Sequence, residues 1–72
     1  MYTYNPNYLK KIRQSAHMTQ AMLSKELDVT IRHIARIEGG QTPLTHNLIM
    51  LYASIFENFD INQLYKKDSN NN

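Results

Sequence analysis

Gln20-Ala21-Met22-Leu23-Ser24-Lys25-Glu26-Leu27-Asp28-Val29-Thr30-Ile31-Arg32-His33-Ile34-Ala35-Arg36-Ile37-Glu38-Gly39 decides how this chain folds. Thr19 can cap a helix from Gln20 to Leu27, whose inward positions are Leu23, Ser24 and Leu27. Asp28-Val29 is a break of only two residues. Thr30 can then cap a second helix, Ile31 to Glu38, with Ile34 and Ile37 turned inward. Gly39-Gly40 ends it, because glycine accepts the left-handed conformation common just past a helix C-terminus. On the N-terminal side, Tyr8, Leu9, Ile12 and Ala16 recur at spacings of three and four, which predicts an amphipathic helix from about Asn7 to Ala16, entered after Pro6. On the C-terminal side, a very apolar helix is expected after Thr42-Pro43, from about Thr45 to Glu57, carrying Leu48, Ile49, Leu51, Tyr52, Ile55 and Phe56. Asp60-Ile61-Asn62-Gln63 fits a capping box, with Asp60 in place of the usual Ser or Thr, for a short last helix bearing Leu64 and Tyr65. Nothing alternates with period two, so the chain is predicted to be all-α with five helices. Residues 1–6 are expected to form an N-terminal arm, 7–66 the domain, and 67–72 a disordered polar tail.

Composition narrows the function classes. With 72 residues, 42% of them hydrophobic, and no cysteine, the chain has one small core and no disulfides to supplement it. Stability must come from compact helix packing or from association. The longest apolar run, Leu48 to Ala53, is far below the roughly 20 residues that span a bilayer. Met1-Tyr2-Thr3-Tyr4-Asn5-Pro6 has no basic-then-apolar signal pattern, so a cytoplasmic protein without membrane partners is expected. The net charge of +2 is unevenly spread. Lys10, Lys11, Arg13, Lys25, Arg32 and Arg36 face only Glu26, Asp28 and Glu38 in residues 1–40, whereas residues 41–72 are slightly acidic. A basic first half suits contact with an anion. His17, His33 and His46 are too far apart to resemble zinc-site pairs, and there is no cysteine to complete a site, so no metal is expected. No glycine-rich phosphate loop follows a strand, and no serine sits on a nucleophile elbow. The expectation is no enzyme, no cofactor and no small-molecule ligand.

The stretch from Gln20 to Gly39 resembles the helix-turn-helix of the Cro and lambda-repressor-type family, also called XRE-like. Leu9-Lys10-Lys11-Ile12-Arg13 resembles that family's first helix, Met18-Thr19-Gln20 its entry to the second, and Asp60-Ile61-Asn62-Gln63-Leu64 its fifth. The joint spacing of Thr19, Gln20, Leu27, Val29, Thr30, Ile34, Ile37, Glu38 and Gly40 makes the resemblance specific across about residues 8 to 65. It implies a five-helix lambda-repressor-like domain with the helix-turn-helix at helices 2 and 3. There are two departures: Ser24 where the family has Ala, and Asp28 where its turn has Gly. Ser is still small, and Asp tolerates positive φ.

A helix fits the major groove of B-DNA when it is held out from the body so that one face reaches base edges. With Ile34 and Ile37 inward, Ile31, Arg32, Ala35 and Arg36 fall on the other faces. Arg32 and Arg36 can each give two hydrogen bonds to guanine, and Ile31 and Ala35 can meet a thymine methyl. Thr30 joins them as an expected base contact at the helix start. The resemblance implies phosphate contacts from Thr19 and Gln20 at the start of the second helix and from Gly39, Gln41 and Thr42 in the following loop. It also implies an ion pair between Arg13 and Glu38, a structural role. One recognition helix reads about four or five base pairs, so a homodimer on a palindromic double-stranded DNA operator is expected. Phe59, Leu64 and Tyr65 are the candidate interface. The predicted function is a transcriptional regulator, a repressor or Cro-like switch. Controller proteins of restriction-modification systems and antitoxins share the domain and remain alternatives, as does a helix-turn-helix interaction module that binds no DNA.

Overall fold

A computed structural model describes residues 2–67. In chain order they form β1 (Tyr2–Tyr4), α1 (Asn7–Ser15), α2 (Gln20–Leu27), α3 (Ile31–Glu38), α4 (His46–Ile55), α5 (Ile61–Leu64) and β2 (Tyr65–Lys67). Helices dominate, as the sequence predicts, and the spans of α2 and α3 coincide with the expected ones.

Local chemistry explains the helix boundaries. Thr19, Thr30 and Thr45 each accept, through Oγ1, the backbone N–H three residues on, from Met22, His33 and Leu48, at 3.0, 3.1 and 3.2 Å. This satisfies a donor that the first turn of a helix otherwise leaves orphaned. Asp28 ends α2 at φ 57°, and the Val29 N–H reaches back to the Ser24 carbonyl. The left-handed turn, for which the resemblance implies glycine, is made here by Asp28. His17 plays the same part after α1 at φ 58°. Its N–H donates to the Gln14 carbonyl and that of Met18 to the Arg13 carbonyl. α4 is shorter than expected because Phe56 turns extended, at φ −106° and ψ 106°, which carries its ring into the core.

The core comprises Leu9 and Ile12 of α1, Leu23 and Leu27 of α2, Ile34 and Ile37 of α3, then Leu44, Leu48, Tyr52, Phe56 and Leu64. Ser24 is buried among them with its hydroxyl donating to the Ala21 carbonyl at 2.8 Å, so the polar atom is satisfied.

The structure differs from a purely helical reading at the two ends. β1 and β2 pair antiparallel, with Tyr2 opposite Lys67, Thr3 opposite Lys66 and Tyr4 opposite Tyr65. The expected N-terminal arm is thus a strand from Tyr2 to Tyr4, and Lys67, assigned to the tail, belongs to β2. The rest of that tail lies outside the described residues. α5 makes the pairing possible by returning the chain to its start. There the Asn5 N–H meets the Leu64 carbonyl at 2.7 Å, and the Asn5 side-chain amide donates to the Gln63 carbonyl at 3.3 Å. Strands of three residues are too short to show a period.

Two phenols are buried without a hydrogen-bond partner among the described residues, Tyr4 and Tyr52. Burial pushes both pKa values up. At Tyr52 the Glu38 carboxylate and Tyr4 push in the same direction, and Arg13 opposes them. Removing an unsatisfied buried hydroxyl relieves its desolvation cost, so Tyr52→Phe is expected to stabilise the fold by about 1 kcal/mol. A phenol with a raised folded-state pKa supports folding fully below its ordinary value of 10.0, and that support is lost as pH rises beyond it. Denaturant melts on either side of pH 10 should show stability falling on the alkaline side, less steeply in Tyr52→Phe than in the parent. Identical slopes in the two proteins would mean that Tyr52 ionises freely when folded.

Candidate nucleic-acid interface

α2, the turn Asp28-Val29-Thr30 and α3 present one continuous exposed surface. Ile34 and Ile37 are fully buried, and this fixes the rotation of α3. Ile31, Arg32, Ala35 and Arg36 then stand exposed together, one helical turn apart in the pairs 31/35 and 32/36. Ile31 is 49% exposed at the first position of the helix. Neither Arg32 nor Arg36 is paired with a carboxylate among the described residues. Their guanidinium groups are thus available as fixed, forked donors beside two apolar contacts.

Behind this surface lies a buried ion pair. Arg13 donates from Nε to Glu38 Oε2 at 2.7 Å and from Nη2 to Oε1 at 3.1 Å, while Nη1 donates to the Met18 carbonyl at 2.8 Å. The hydrogen bond to Glu38 is the main cause of a raised Arg13 pKa, against burial. Both side chains are almost wholly removed from solvent. The expected ion pair between α1 and the end of α3 is thus present in bidentate form.

Other expected contacts need revision. Gln20 is half-buried and its side chain is engaged, with Nε2 donating to Glu38 Oε1 at 3.2 Å. No local pattern in the sequence points to this link, which joins residues 18 apart. Thr19 and Thr30 each use one lone pair of the side-chain oxygen for capping, which leaves the hydroxyl hydrogen for a phosphate and one further lone pair. In the loop after α3, the N–H groups of Gly39, Gly40 and Gln41 are consumed by the carbonyls of Ala35, Ile37 and Arg36 at 2.9, 3.1 and 2.9 Å. Gly39, expected as a phosphate contact, has no side chain, and its amide hydrogen is given to Ala35. It is also right-handed, at φ −83°. Gly40 supplies the left-handed turn at φ 77°, where an added Cβ would lie 3.2 Å from the Pro6 ring. Gln41 is exposed and Thr42 half-buried, so both keep side chains near the surface.

The proposed interface residues also sit differently from expectation. Leu64 has no exposed surface and completes the monomer's own core. Phe59 packs 5.9 Å from the Tyr8 ring and 6.4 Å from that of Tyr52, and Tyr65 packs 5.4 Å from Tyr4. Both are half-buried. The capping box at α5 is half realised: Asp60 Oδ1 accepts the Asn62 N–H, but the Asp60 N–H goes to the Tyr8 hydroxyl at 2.7 Å and not to Gln63.

The helix-turn-helix family model matches residues 9–58, which include α1 from Leu9 onward, α2 to α4 and the exposed surface of α2 and α3. The chain belongs to this family, in its Cro/C1-type, XRE-like branch. It is similar to the HTH-type transcriptional regulator PrpR of Mycobacterium tuberculosis (strain ATCC 25618 / H37Rv), at 31% identity over 68 residues, 93% of this chain. It spans only 13% of the length of that relative. No solved structure matches. In this helix-turn-helix chain no group of metal-binding side chains occurs among the described residues, and no described helix is long and apolar enough to cross a membrane.

Proposed function

We propose that the chain is a sequence-specific, double-stranded-DNA-binding transcriptional regulator, acting as a repressor or Cro-like switch and binding a palindromic operator as a homodimer. The observation that carries this reading is the exposed quartet Ile31, Arg32, Ala35 and Arg36. Two guanidinium groups, unpaired among the described residues, and two apolar side chains share the outer surface of a helix whose inner face is locked by Ile34 and Ile37. Arginine reads guanine O6 and N7 in the major groove, and the apolar pair suits thymine methyls. The relative's description as a transcriptional regulator supports the same reading. Thr30 flanks the quartet, and phosphate contacts fall to Thr19, Gln20, Gln41 and Thr42.

Selection of bound sequences from a random duplex pool tests the proposal. Recovery of no consensus, at any salt concentration that permits binding, would overturn it. On the selected site, Arg36→Ala is expected to cost about 1 to 3 kcal/mol and to relax preference at one base pair, as loss of a bidentate base contact does. An unchanged consensus from the Arg36→Ala protein would remove Arg36 from the readout.

The dimer follows from the short read of one recognition helix. With Leu64 committed to the core, the interface is assigned to Phe59 and Tyr65, half-buried at the edges of α5, together with exposed Ile61 between them.

A further inference from the structure

We infer that Glu38 is a positioning residue for DNA binding: its carboxylate anchors the Gln20 side chain at the phosphate-facing end of α2. This rests on the assignment of Gln20 to a phosphate contact and adds what holds it there. Oε1 of Glu38 receives two donors, Arg13 Nη2 at 3.1 Å and Gln20 Nε2 at 3.2 Å. A carboxylate only accepts, so it can hold Gln20 only by the nitrogen of its amide. That nitrogen carries two hydrogens. One is satisfied by Glu38, and the second is left for another acceptor, which a phosphate oxygen would supply. Glutamine is otherwise a long side chain with several rotatable bonds, and fixing it before the encounter removes part of the ordering cost of binding.

The electrostatics suit this role. A bare carboxylate near a phosphate would repel it, but Glu38 is neutralised by Arg13 at 2.7 Å and buried. Glu38 is also the last residue of α3, and Gln20 is the first of α2. One carboxylate therefore sets the reading helix and the phosphate-facing residue at a fixed distance from each other. Arg13 adds α1 and, through the Met18 carbonyl, the segment that leads into Thr19 and Gln20.

A structural role alone must be separated from positioning, and the double substitution Arg13→Met with Glu38→Leu does so. It replaces the buried pair by apolar side chains, an exchange that is often neutral for stability, and leaves the net charge unchanged, so long-range attraction to DNA is preserved. It removes the acceptor of Gln20 and, with it, the Arg13 hydrogen bond to the Met18 carbonyl, so the comparison with Gln20→Ala in both backgrounds isolates the anchor. Binding to a short duplex of random sequence at low salt is measured at a temperature where every protein is folded by circular dichroism. The apolar pair is expected to bind about threefold to tenfold more weakly than the parent. Gln20→Ala should cost less in that background than in the parent, because its anchor is already gone. Equal cost in both backgrounds, or parental affinity of the apolar pair, would overturn the role of Glu38 while leaving Gln20 at the phosphate. A Gln20→Ala protein with parental affinity in the first place would remove the phosphate contact itself, and the positioning role with it. A second measurement needs no variant to fold. In the parent, one of the two Gln20 side-chain amide protons, the one given to Glu38, should be shifted from its position in a free glutamine and slow to exchange. Resonances at the positions of a free glutamine would overturn the anchor directly.

Discussion

Glu38→Ala is expected to destabilise the fold by about 3 to 5 kcal/mol, because it strands the Arg13 guanidinium without a counter-charge in a buried setting. Three donors of Arg13 are engaged in the parent, two of them by Glu38. A domain of 72 residues has a total stability of roughly 4 to 11 kcal/mol, so the loss is a large share of the whole. The unfolding midpoint should drop by more than about 12 °C, given that 1 kcal/mol shifts a domain of this size by about 4 to 8 °C. Lys25→Ala, on the exposed side of α2, should stay within about 0.5 kcal/mol of the parent and serves as the control. The apolar double substitution Arg13→Met with Glu38→Leu should recover most of what Glu38→Ala loses, since no charge is then left unpaired. Equal midpoints for Glu38→Ala and the parent would mean that the pair contributes nothing in solution.

The second large effect concerns the operator. Two recognition helices related by a two-fold axis enter successive major grooves on one face of the duplex only when the half-site centres are about 10 to 10.5 base pairs apart, roughly 34 to 36 Å. Adding five base pairs between the half-sites rotates one of them by about half a turn, to the far side of the duplex. The second subunit then gains nothing from the first. Affinity is expected to fall by at least about a hundredfold, the usual scale of bivalent enhancement, and to approach that of a single half-site. Full affinity after the insertion, or a monomeric mass in the DNA complex, would overturn the dimer and leave the recognition helix untouched.

Both outcomes depend on where particular side chains sit, and those placements were not equally legible in the sequence. Much of the helix-turn-helix was. Its boundaries are set by nearest-neighbour chemistry: a threonine before each helix, a residue tolerant of positive φ at Asp28, glycine after Glu38, and apolar residues at helical spacing. Rules of this kind act over three or four residues, so a single chain contains them in full. The rotation of α3 follows in the same way from Ile34 and Ile37, and with it the exposed set Ile31, Arg32, Ala35 and Arg36. The Arg13–Glu38 pair, 25 residues apart, came from family resemblance and not from any local rule.

Only the tertiary structure decided the rest, because each case is a competition between partners distant in sequence. Gln20 could have faced solvent, and the position of Glu38, 18 residues on, turns it inward. The Asp60 N–H could have met Gln63 within its own helix, but the Tyr8 hydroxyl, 52 residues away, reaches it. Tyr4 and Tyr65 stack because α5 brings the chain end back to its start, and the same return carries Leu64 into the core and off the surface. The sequence by itself determined the helices, the turn between α2 and α3, and the face that α3 exposes, since all of these rest on contacts within a few residues. Which aromatic side chains stay partly exposed, and which acceptor holds Gln20, depended on long-range closure. There the free energy of burial and pairing is shared among residues that no local pattern connects.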